Sequence, residues 1–315
     1  MRKLIDWNLP GNIVPPVTPF NERGRLDVAA LRAELDYVIA AARPAAVCVA
    51  GVEAQEYQYL SDAGRRELIR ETIGALDGRA PALVGVSHAS YRVSIELAQY
   101  AAELGASAVQ LLIPNRPSGG KPTTKEVVAY FEAIARESPL PVVSYHNQGP
   151  GADLGLAALL EVFAIDRVIG HKESSRNQRF LGVLIHEAER RGIAHVFTTM
   201  EVLFPTLLLG AAGGTMPAPG AAISALLVDA FRAGDLASAA QFHALHSEMP
   251  ARWVDHGLVA VMKVSLRALG IDCGATYPPF GVVPPAHVEE INAFWAAALE
   301  RFPALRYSPA MSVAS

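Results

Sequence analysis

The feature that most constrains the fold of this chain is a regular alternation of two kinds of segment. Short apolar and β-branched runs, bounded by Gly, Pro and Asn, alternate with longer segments of helical period. The eight predicted strands are Asn12–Val17, Ala46–Ala50, Ala82–Val86, Ala108–Leu112, Pro141–Tyr145, Val168–Lys172, His195–Thr198 and Gly214–Met216. Eight such units within about 230 residues predict an α/β fold, the (β/α)8 TIM barrel.

The helical segments fit the same architecture. Those between the strands include Val28–Ala41, Asp62–Leu76, Arg92–Leu104, Thr124–Glu137, Leu156–Phe163 and Asn177–Arg191. Thr123 and Glu126 form a capping box at the start of the fourth. Three further helices, Leu236–Met249, Leu258–Leu269 and Val288–Arg301, follow the eighth strand and cannot add a ninth unit. We therefore expect a barrel over residues 1–225, a helical appendage packed on it over 226–308, and a disordered tail over 309–315.

Composition and charge indicate the kind of partner. Half of the 315 residues are apolar and the formal net charge is −4, so no basic excess exists to bind nucleic acid or an anionic membrane. No run of eighteen apolar residues occurs, and the two cysteines, Cys48 and Cys273, match neither a disulfide framework nor a metal-ligand spacing. The apolar stretch in the N-terminal segment is too short for a signal peptide. We expect a cytoplasmic protein with a small-molecule substrate.

Lys172 is the first candidate for chemistry. It closely follows the apolar run Val168–Gly170. The chain's other four lysines, including Lys263 in a helical segment, lie where we expect an exposed charge. Burial should lower the pKa of Lys172 from about 10.4, and a neutral lysine is a nucleophile toward carbonyls. The alternative is a strand-end lysine paired with Glu173 or another carboxylate.

Tyr145 is the second candidate, because imine formation on a lysine needs a group that moves protons. The fifth predicted strand ends in Tyr145, and adjacent barrel strands are about 4.8 Å apart, so its phenol can reach the nitrogen of Lys172. The alternative is an ordinary amphipathic tyrosine at a strand end. The neighbouring histidines His146 and His171 could suggest a metal site, but strand alternation turns His171 away from Lys172, and we expect no metal.

Several segments taken together resemble one known family. They are "GNIVPPVTPFNERGRLD" at 11–27, "NRPS" at 115–118, "PVVSYHN" at 141–147, "VIGHKESS" at 168–175 and "LGAAGGTMPA" at 209–218. Over nearly the whole chain they are similar to the dihydrodipicolinate synthase / N-acetylneuraminate lyase family of class I aldolases and dehydratases. The resemblance implies a TIM barrel with C-terminal helices, a homo-oligomer (tetramer or dimer) and no cofactor. It also implies that Lys172 is the Schiff-base lysine and Tyr145 the catalytic phenol.

The chain departs from the family pattern where the keto acid's carboxylate is held. The family has a Gly-hydroxyl-hydroxyl-Gly-Glu loop after the second strand, and here residues 51–56 read Gly-Val-Glu-Ala-Gln-Glu. A carboxylate at Glu53 would repel the substrate if it pointed inward. Either Glu53 turns away and backbone amides near Ala54, with Gln55, hold the acid, or the substrate is not a simple 2-keto acid. The glycine-rich end of the eighth strand, with Thr215, is the further expected contact with the acid group.

The loop after Tyr145 also departs from the synthase branch. It has no arginine to bind a second substrate's carboxylate, and Ile113 and Pro114 stand where the synthase has relay tyrosines. We expect a lyase acting on pyruvate or another 2-keto acid, such as a sugar acid, with His146, Asn147 and Gln148 as candidate specificity residues. Two alternatives stay open: the true 4-hydroxy-tetrahydrodipicolinate synthase, and a keto-acid-binding barrel without turnover.

Overall fold

A computed structural model describes residues 11–52, 54, 56–116, 118, 120–279 and 281–307, and within these ranges the chain forms a closed parallel barrel. The strands are β1 Gly11–Val14, β2 Ala46–Val49, β3 Ala82–Gly85, β4 Ala108–Leu112, β5 Val142–His146, β6 Val168–Glu173, β7 His195–Thr199 and β8 Gly213–Thr215. They pair in chain order, and β8 pairs back to β1. The predicted TIM barrel is confirmed, with strand bounds within three residues of expectation.

Helices cover the outside of the barrel. Within the described residues they are α1 Val28–Tyr37, α2 Asp62–Leu76, α3 Tyr91–Glu103, α4 Thr124–Glu137, α5 Leu156–Phe163, α6 Gln178–Glu189, α7 Leu203–Leu208, α8 Ala218–Arg232, α9 Leu236–Ser247, α10 Leu258–Ala268 and α11 Pro285–Arg301. Thr123 and Glu126 form the predicted capping box at α4. A π-helical turn, Val38–Ala42, extends α1.

The end of the barrel and the start of the appendage are continuous. Helix α8 runs across residue 225, where we expected the division, and α9 to α11 follow it. The division into barrel and appendage stays a prediction, and the expected tail at 309–315 lies outside the described residues. None of the helices described is both long and apolar enough to cross a membrane.

Strand alternation separates two cores. Ile13, Cys48, Leu83, Val143 and Phe197 belong to a small buried cluster contributed by alternate strand residues, which fills the barrel. The larger cluster packs the outer faces of the strands against the helices. Because side chains on one strand alternate between these faces, the residue that points into the barrel and its neighbour in sequence have different surroundings.

The seam between the first and last strands depends on two glycines. Gly11 pairs with Gly213, which has a φ of +150°, and a Cβ at Gly213 would lie 1.7 Å from the carbonyl oxygen of Gly11. Real Cβ atoms do not come that close to a backbone atom. The barrel therefore closes only with glycine at position 213.

Candidate active site

Lys172 and Tyr145 lie side by side on the inner wall of the barrel. The two are register partners on β6 and β5, and each lies two residues after its strand's member of the inward-facing Val143–Gly170 pair. Lys172 is 4% exposed, and its Nζ lies 3.9 Å from the centre of the Tyr145 ring, which is fully buried. Adjacency of the candidate amine and phenol, expected from strand order, is what the structure shows.

Asn147 completes a short chain of polar groups with this pair. Its Nδ2 donates a hydrogen bond of 2.7 Å to the hydroxyl oxygen of Tyr145. Asn147 is two residues after Tyr145 and therefore continues the inward-facing row. The amide therefore helps to fix the position of the phenol oxygen.

His146 does not join this group. It points to the outer face, is 1% exposed, and its Nδ1 lies 2.8 Å from Glu173 Oε2 while its Nε2 accepts a hydrogen bond from the Leu154 amide. Since Nε2 accepts, the proton is on Nδ1, and the ring donates to Glu173. The expectation that His146 contacts substrate is corrected, because alternation sends the residue after Tyr145 to the other side of the wall.

Glu173 is the centre of a buried polar cluster on that outer face. Its carboxylate also accepts hydrogen bonds from His171 Nε2 at 3.2 Å and from the Ser175 amide at 2.7 Å. Burial alone would raise the pKa of Glu173, but the hydrogen bonds and electrostatic attraction of His146 and His171 hold it at about 2. Glu173 is thus engaged behind the strand, on the face opposite Lys172, which disfavours the pairing considered for the two.

The second histidine of the cluster is neutral. His171 is fully buried, and desolvation lowers its pKa, with a smaller opposing effect from Glu173. Its Nδ1 lies 2.8 Å from Ser144 Oγ, so the hydroxyl donates to Nδ1 while Nε2–H donates to Glu173. Among the residues that the structure describes, no group of three or more His, Cys, Asp or Glu side chains is arranged to hold a metal ion.

Thr215 lies on the inner wall at the mouth of the barrel. It ends β8, is the register partner of both Thr199 and Ile13, and is 6% exposed. Its hydroxyl has no hydrogen-bond partner in the described part of the chain. A buried hydroxyl in that state is suited to bind a polar group of a ligand.

The loop after β2 can be followed only in part. Ala50 has a positive φ of 52°, Ala54 is fully buried, and Glu53 and Gln55 lie outside the described residues. Glu56, which ends the loop, is 8% exposed, and its Oε2 lies 3.0 Å from Lys263 Nζ. The loop is therefore fixed at this end by a charge from helix α10.

Lys263 is a second buried lysine, although we expected it to be an exposed charge on a helix. It is 2% exposed, and its Nζ donates hydrogen bonds to the carbonyl oxygens of Thr18 and Ala275 at 2.7 and 2.6 Å. The signal was present: Lys263 stands within "LVAVMKVSL", which is apolar on every side of the helix. With an acid and two carbonyls around it, this ammonium serves to join the C-terminal helices to the loops after β1 and β2.

Comparisons with known proteins identify the family and the fold. The sequence model of the dihydrodipicolinate synthetase family matches residues 8–298. The chain belongs to this family. It is 30% identical over 285 residues, 87% of this chain and 90% of the relative, to the Escherichia coli protein named "Putative 2-dehydro-3-deoxy-D-gluconate aldolase YagE". It is 28% identical over 296 residues to the 4-hydroxy-tetrahydrodipicolinate synthase of Ralstonia nicotianae, covering 90% and 96% of the two chains.

Solved structures agree with this membership in the dihydrodipicolinate synthetase family. The crystal structure of YagE in complex with pyruvate has a TM-score of 0.82 at 26% identity, covering 92% of this chain and 98% of that one. The dihydrodipicolinate synthase of Acinetobacter baumannii, at 22% identity and a TM-score of 0.84, covers 92% and 99% and shares the fold. As a member of the family, the chain is a class I lyase, which works on pyruvate or other 2-keto acids through a lysine Schiff base.

Proposed function

We propose that this enzyme cleaves a 4-hydroxy-2-keto acid to pyruvate and an aldehyde, with Lys172 as the Schiff-base lysine and Tyr145 as the proton carrier. The observation that carries the proposal is the buried Nζ of Lys172 beside the Tyr145 ring, 3.9 Å from its centre, on the inner wall. Within the described residues the other buried lysine is Lys263, which is held by Glu56 and two carbonyls and is unsuited to attack a ketone.

The steps follow from these two groups. The neutral amine of Lys172 adds to the C2 ketone, and the carbinolamine loses water with a proton supplied through the Tyr145 hydroxyl. The imine nitrogen then accepts the electron pair of the C3–C4 bond as the proton of the C4 hydroxyl leaves and the aldehyde departs. Protonation of the enamine at C3, followed by hydrolysis, releases pyruvate and restores the amine.

Further groups are assigned to the acid end of the substrate. We assign to keto-acid binding the unpartnered hydroxyl of Thr215, the backbone around Ala54 with Gln55, and Asn147, which also holds Tyr145. Cleavage is favoured over the synthase reaction because no arginine follows Tyr145 before Gly151 to bind a second carboxylate. Two relatives point the same way: YagE, and an Escherichia coli protein named as a probable 2-dehydro-3-deoxy-D-pentonate aldolase.

Borohydride reduction in the presence of pyruvate tests the lysine assignment. We expect one reduced adduct by intact mass, located on Lys172 by peptide mapping, and none in Lys172→Ala. The matched controls are Lys121→Ala and Lys125→Ala, each of which removes an exposed amine; both should keep the adduct. An adduct that persists in Lys172→Ala contradicts the assignment, and turnover of pyruvate with aspartate semialdehyde would favour the synthase.

We also propose that the enzyme acts in the cytoplasm as a homo-oligomer, a tetramer or a dimer, as its family resemblance implies. Sedimentation velocity over a hundredfold range of protein concentration measures the assembly. A single monomeric species throughout that range contradicts it.

A further inference from the structure

A cavity of about 670 Å³ opens at the carboxyl end of the barrel, between the last strands and the C-terminal helices. Arg176, Met200 and Pro217 line it, and they follow β6, β7 and β8 within four residues of the strand ends. Those strands carry Lys172, Thr199 and Thr215 at the same end of the barrel. The cavity therefore opens at the same end of the barrel as the proposed site.

The interior surface of the cavity is largely apolar. It is lined in part by Met200, Pro217, Met262, Trp253 and Trp295. Of these, Met262 is 5% exposed, Trp253 4% and Trp295 1%. The two indoles are held by edge-to-face packing on Phe294, with ring centres 5.5 and 5.3 Å apart. Rigid aromatic walls of this kind suit a flat apolar group.

The charged groups at the rim of the cavity satisfy each other. Arg176 Nε forms an ion pair with Glu201 Oε2, and Thr199 Oγ1 also donates to that oxygen. Deeper in, His246 Nε2 forms a hydrogen bond of 2.8 Å with Ser224 Oγ. Nε1 of Trp253, Nε1 of Trp295 and Nδ1 of His246 have no hydrogen-bond partners in the described residues, but each atom is buried and adds no accessible polar surface to the interior.

We propose that this cavity receives the aldehyde half of the substrate and that the preferred aldehyde is aromatic, with few hydroxyl groups. The inference rests on the proposed aldolase function and names its substrate class. A ring fits because an apolar cavity of about 150 Å³ already holds benzene. A polyhydroxylated aldehyde would bring several hydroxyls against Met, Pro and Trp surfaces, and its hydroxyls would lose their bound water without replacement.

Aldol addition in the reverse direction tests the preference with known compounds. The enamine formed from pyruvate attacks the aldehyde carbon, one C–C bond forms, the aldehyde oxygen takes a proton, and water releases the 4-hydroxy-2-keto acid from Lys172. We expect kcat/KM for benzaldehyde to exceed that for D-glyceraldehyde by roughly tenfold or more, the range that apolar pocket contacts give. Equal values, or a preference for glyceraldehyde, overturn the inference.

A cavity variant links the preference to its structural cause. Met200→Gln keeps the side-chain length at a half-buried position, and should lower kcat/KM for benzaldehyde about fivefold or more while leaving that for glyceraldehyde unchanged or higher. Leu208→Gln, the same kind of change at a 55% exposed site on α7, is the control and should alter neither. If Met200→Gln instead changes the sedimentation of the protein and not the benzaldehyde kinetics, the cavity is covered by a second copy and the inference is wrong.

The two proposals can fail separately. A pyruvate adduct on Lys172 with no preference for benzaldehyde overturns the cavity inference and leaves the aldolase in place. No adduct at all overturns the aldolase. Binding of benzaldehyde is then followed by the fluorescence of Trp253 and Trp295, two of the chain's three tryptophans. No quenching, or quenching equally strong in Met200→Gln, contradicts aromatic binding in the cavity.

Discussion

Lys263 on α10 and Glu56 at the end of the loop after β2 form a buried ion pair, with 3.0 Å between Nζ and Oε2. Desolvation lowers the pKa of Lys263, and the charge of Glu56 opposes that effect. The pair joins the C-terminal helices to the segment that the family uses to hold the substrate's acid group. It therefore contributes to the position of the loop as well as to stability.

Removing one partner of this pair should be costly. Lys263→Met leaves Glu56 buried without its cation, and we expect the free energy of unfolding to fall by about 3–5 kcal/mol. Denaturant titration measures it. The double variant Lys263→Met/Glu56→Gln should recover more than half of the loss, because the orphaned charge is gone. Lys125→Met, at an exposed site, should change stability by no more than about 0.5 kcal/mol. A double variant as unstable as the single one contradicts the charge explanation.

Glu34 should make the protein lose stability as pH rises from about 5 to about 8. It is fully buried, and desolvation raises its pKa to about 8, against smaller lowering effects of the Val17 amide and Lys263. Between the pKa of an unfolded glutamate, about 4.3, and about 8 the folded state keeps a proton that the unfolded state has released, so stability falls through this window and levels off above it. The part between pH 6.5 and 8 alone amounts to about 2 kcal/mol.

Glu34→Gln isolates that effect. The amide oxygen can still accept the 2.8 Å hydrogen bond from the Val17 amide, but the group no longer titrates. Melting temperatures of the two proteins should converge toward pH 5 and diverge toward pH 8, with the variant higher at pH 8. Parallel curves across this range would show that Glu34 is not protonated in the folded state.

Tyr145→Phe should lower kcat by roughly 10²- to 10⁴-fold, the usual contribution of a positioned proton carrier. The ring beside Lys172 remains, so the fold and pyruvate binding should change little. Steady-state kinetics and the rate of adduct formation are the measurements. Tyr100→Phe, which removes a hydroxyl bonded to the Arg66 carbonyl outside the barrel, is the control. A Tyr145→Phe enzyme with full activity would remove the phenol from the mechanism.

His146 should matter for stability and not for specificity. His146→Leu removes the donor to Glu173 and the acceptor of the Leu154 amide, so we expect unfolding to become easier by about 2–3 kcal/mol. The ratio of kcat/KM between two aldehydes should stay within about twofold, since the ring lies behind the wall. His186→Leu, on the exposed side of α6, is the control. A changed ratio without a change in stability contradicts the assignment.

The strands and the Lys172–Tyr145 pair were predictable from sequence because each depends on local pattern and strand order. The outward position of His146 was also predictable, because strand alternation turns the residue after Tyr145 outward just as it turns the residue before Lys172 outward. Lys263 was missed because an isolated helical pattern does not reveal that α10 is covered on all sides. The cavity was out of reach for a stronger reason: its walls come from residues near 200, 217, 253 and 295, which only tertiary packing brings together.

Gly213 is a single position on which closure of the whole barrel depends. Because the obstacle to a side chain there is a main-chain oxygen, no compensating change elsewhere can create room for it. A library randomised at that codon and screened for solubility alone would return glycine among its correctly folded members. Any alanine survivor would identify a molecule whose circular hydrogen bonding had come apart where its two terminal strands meet.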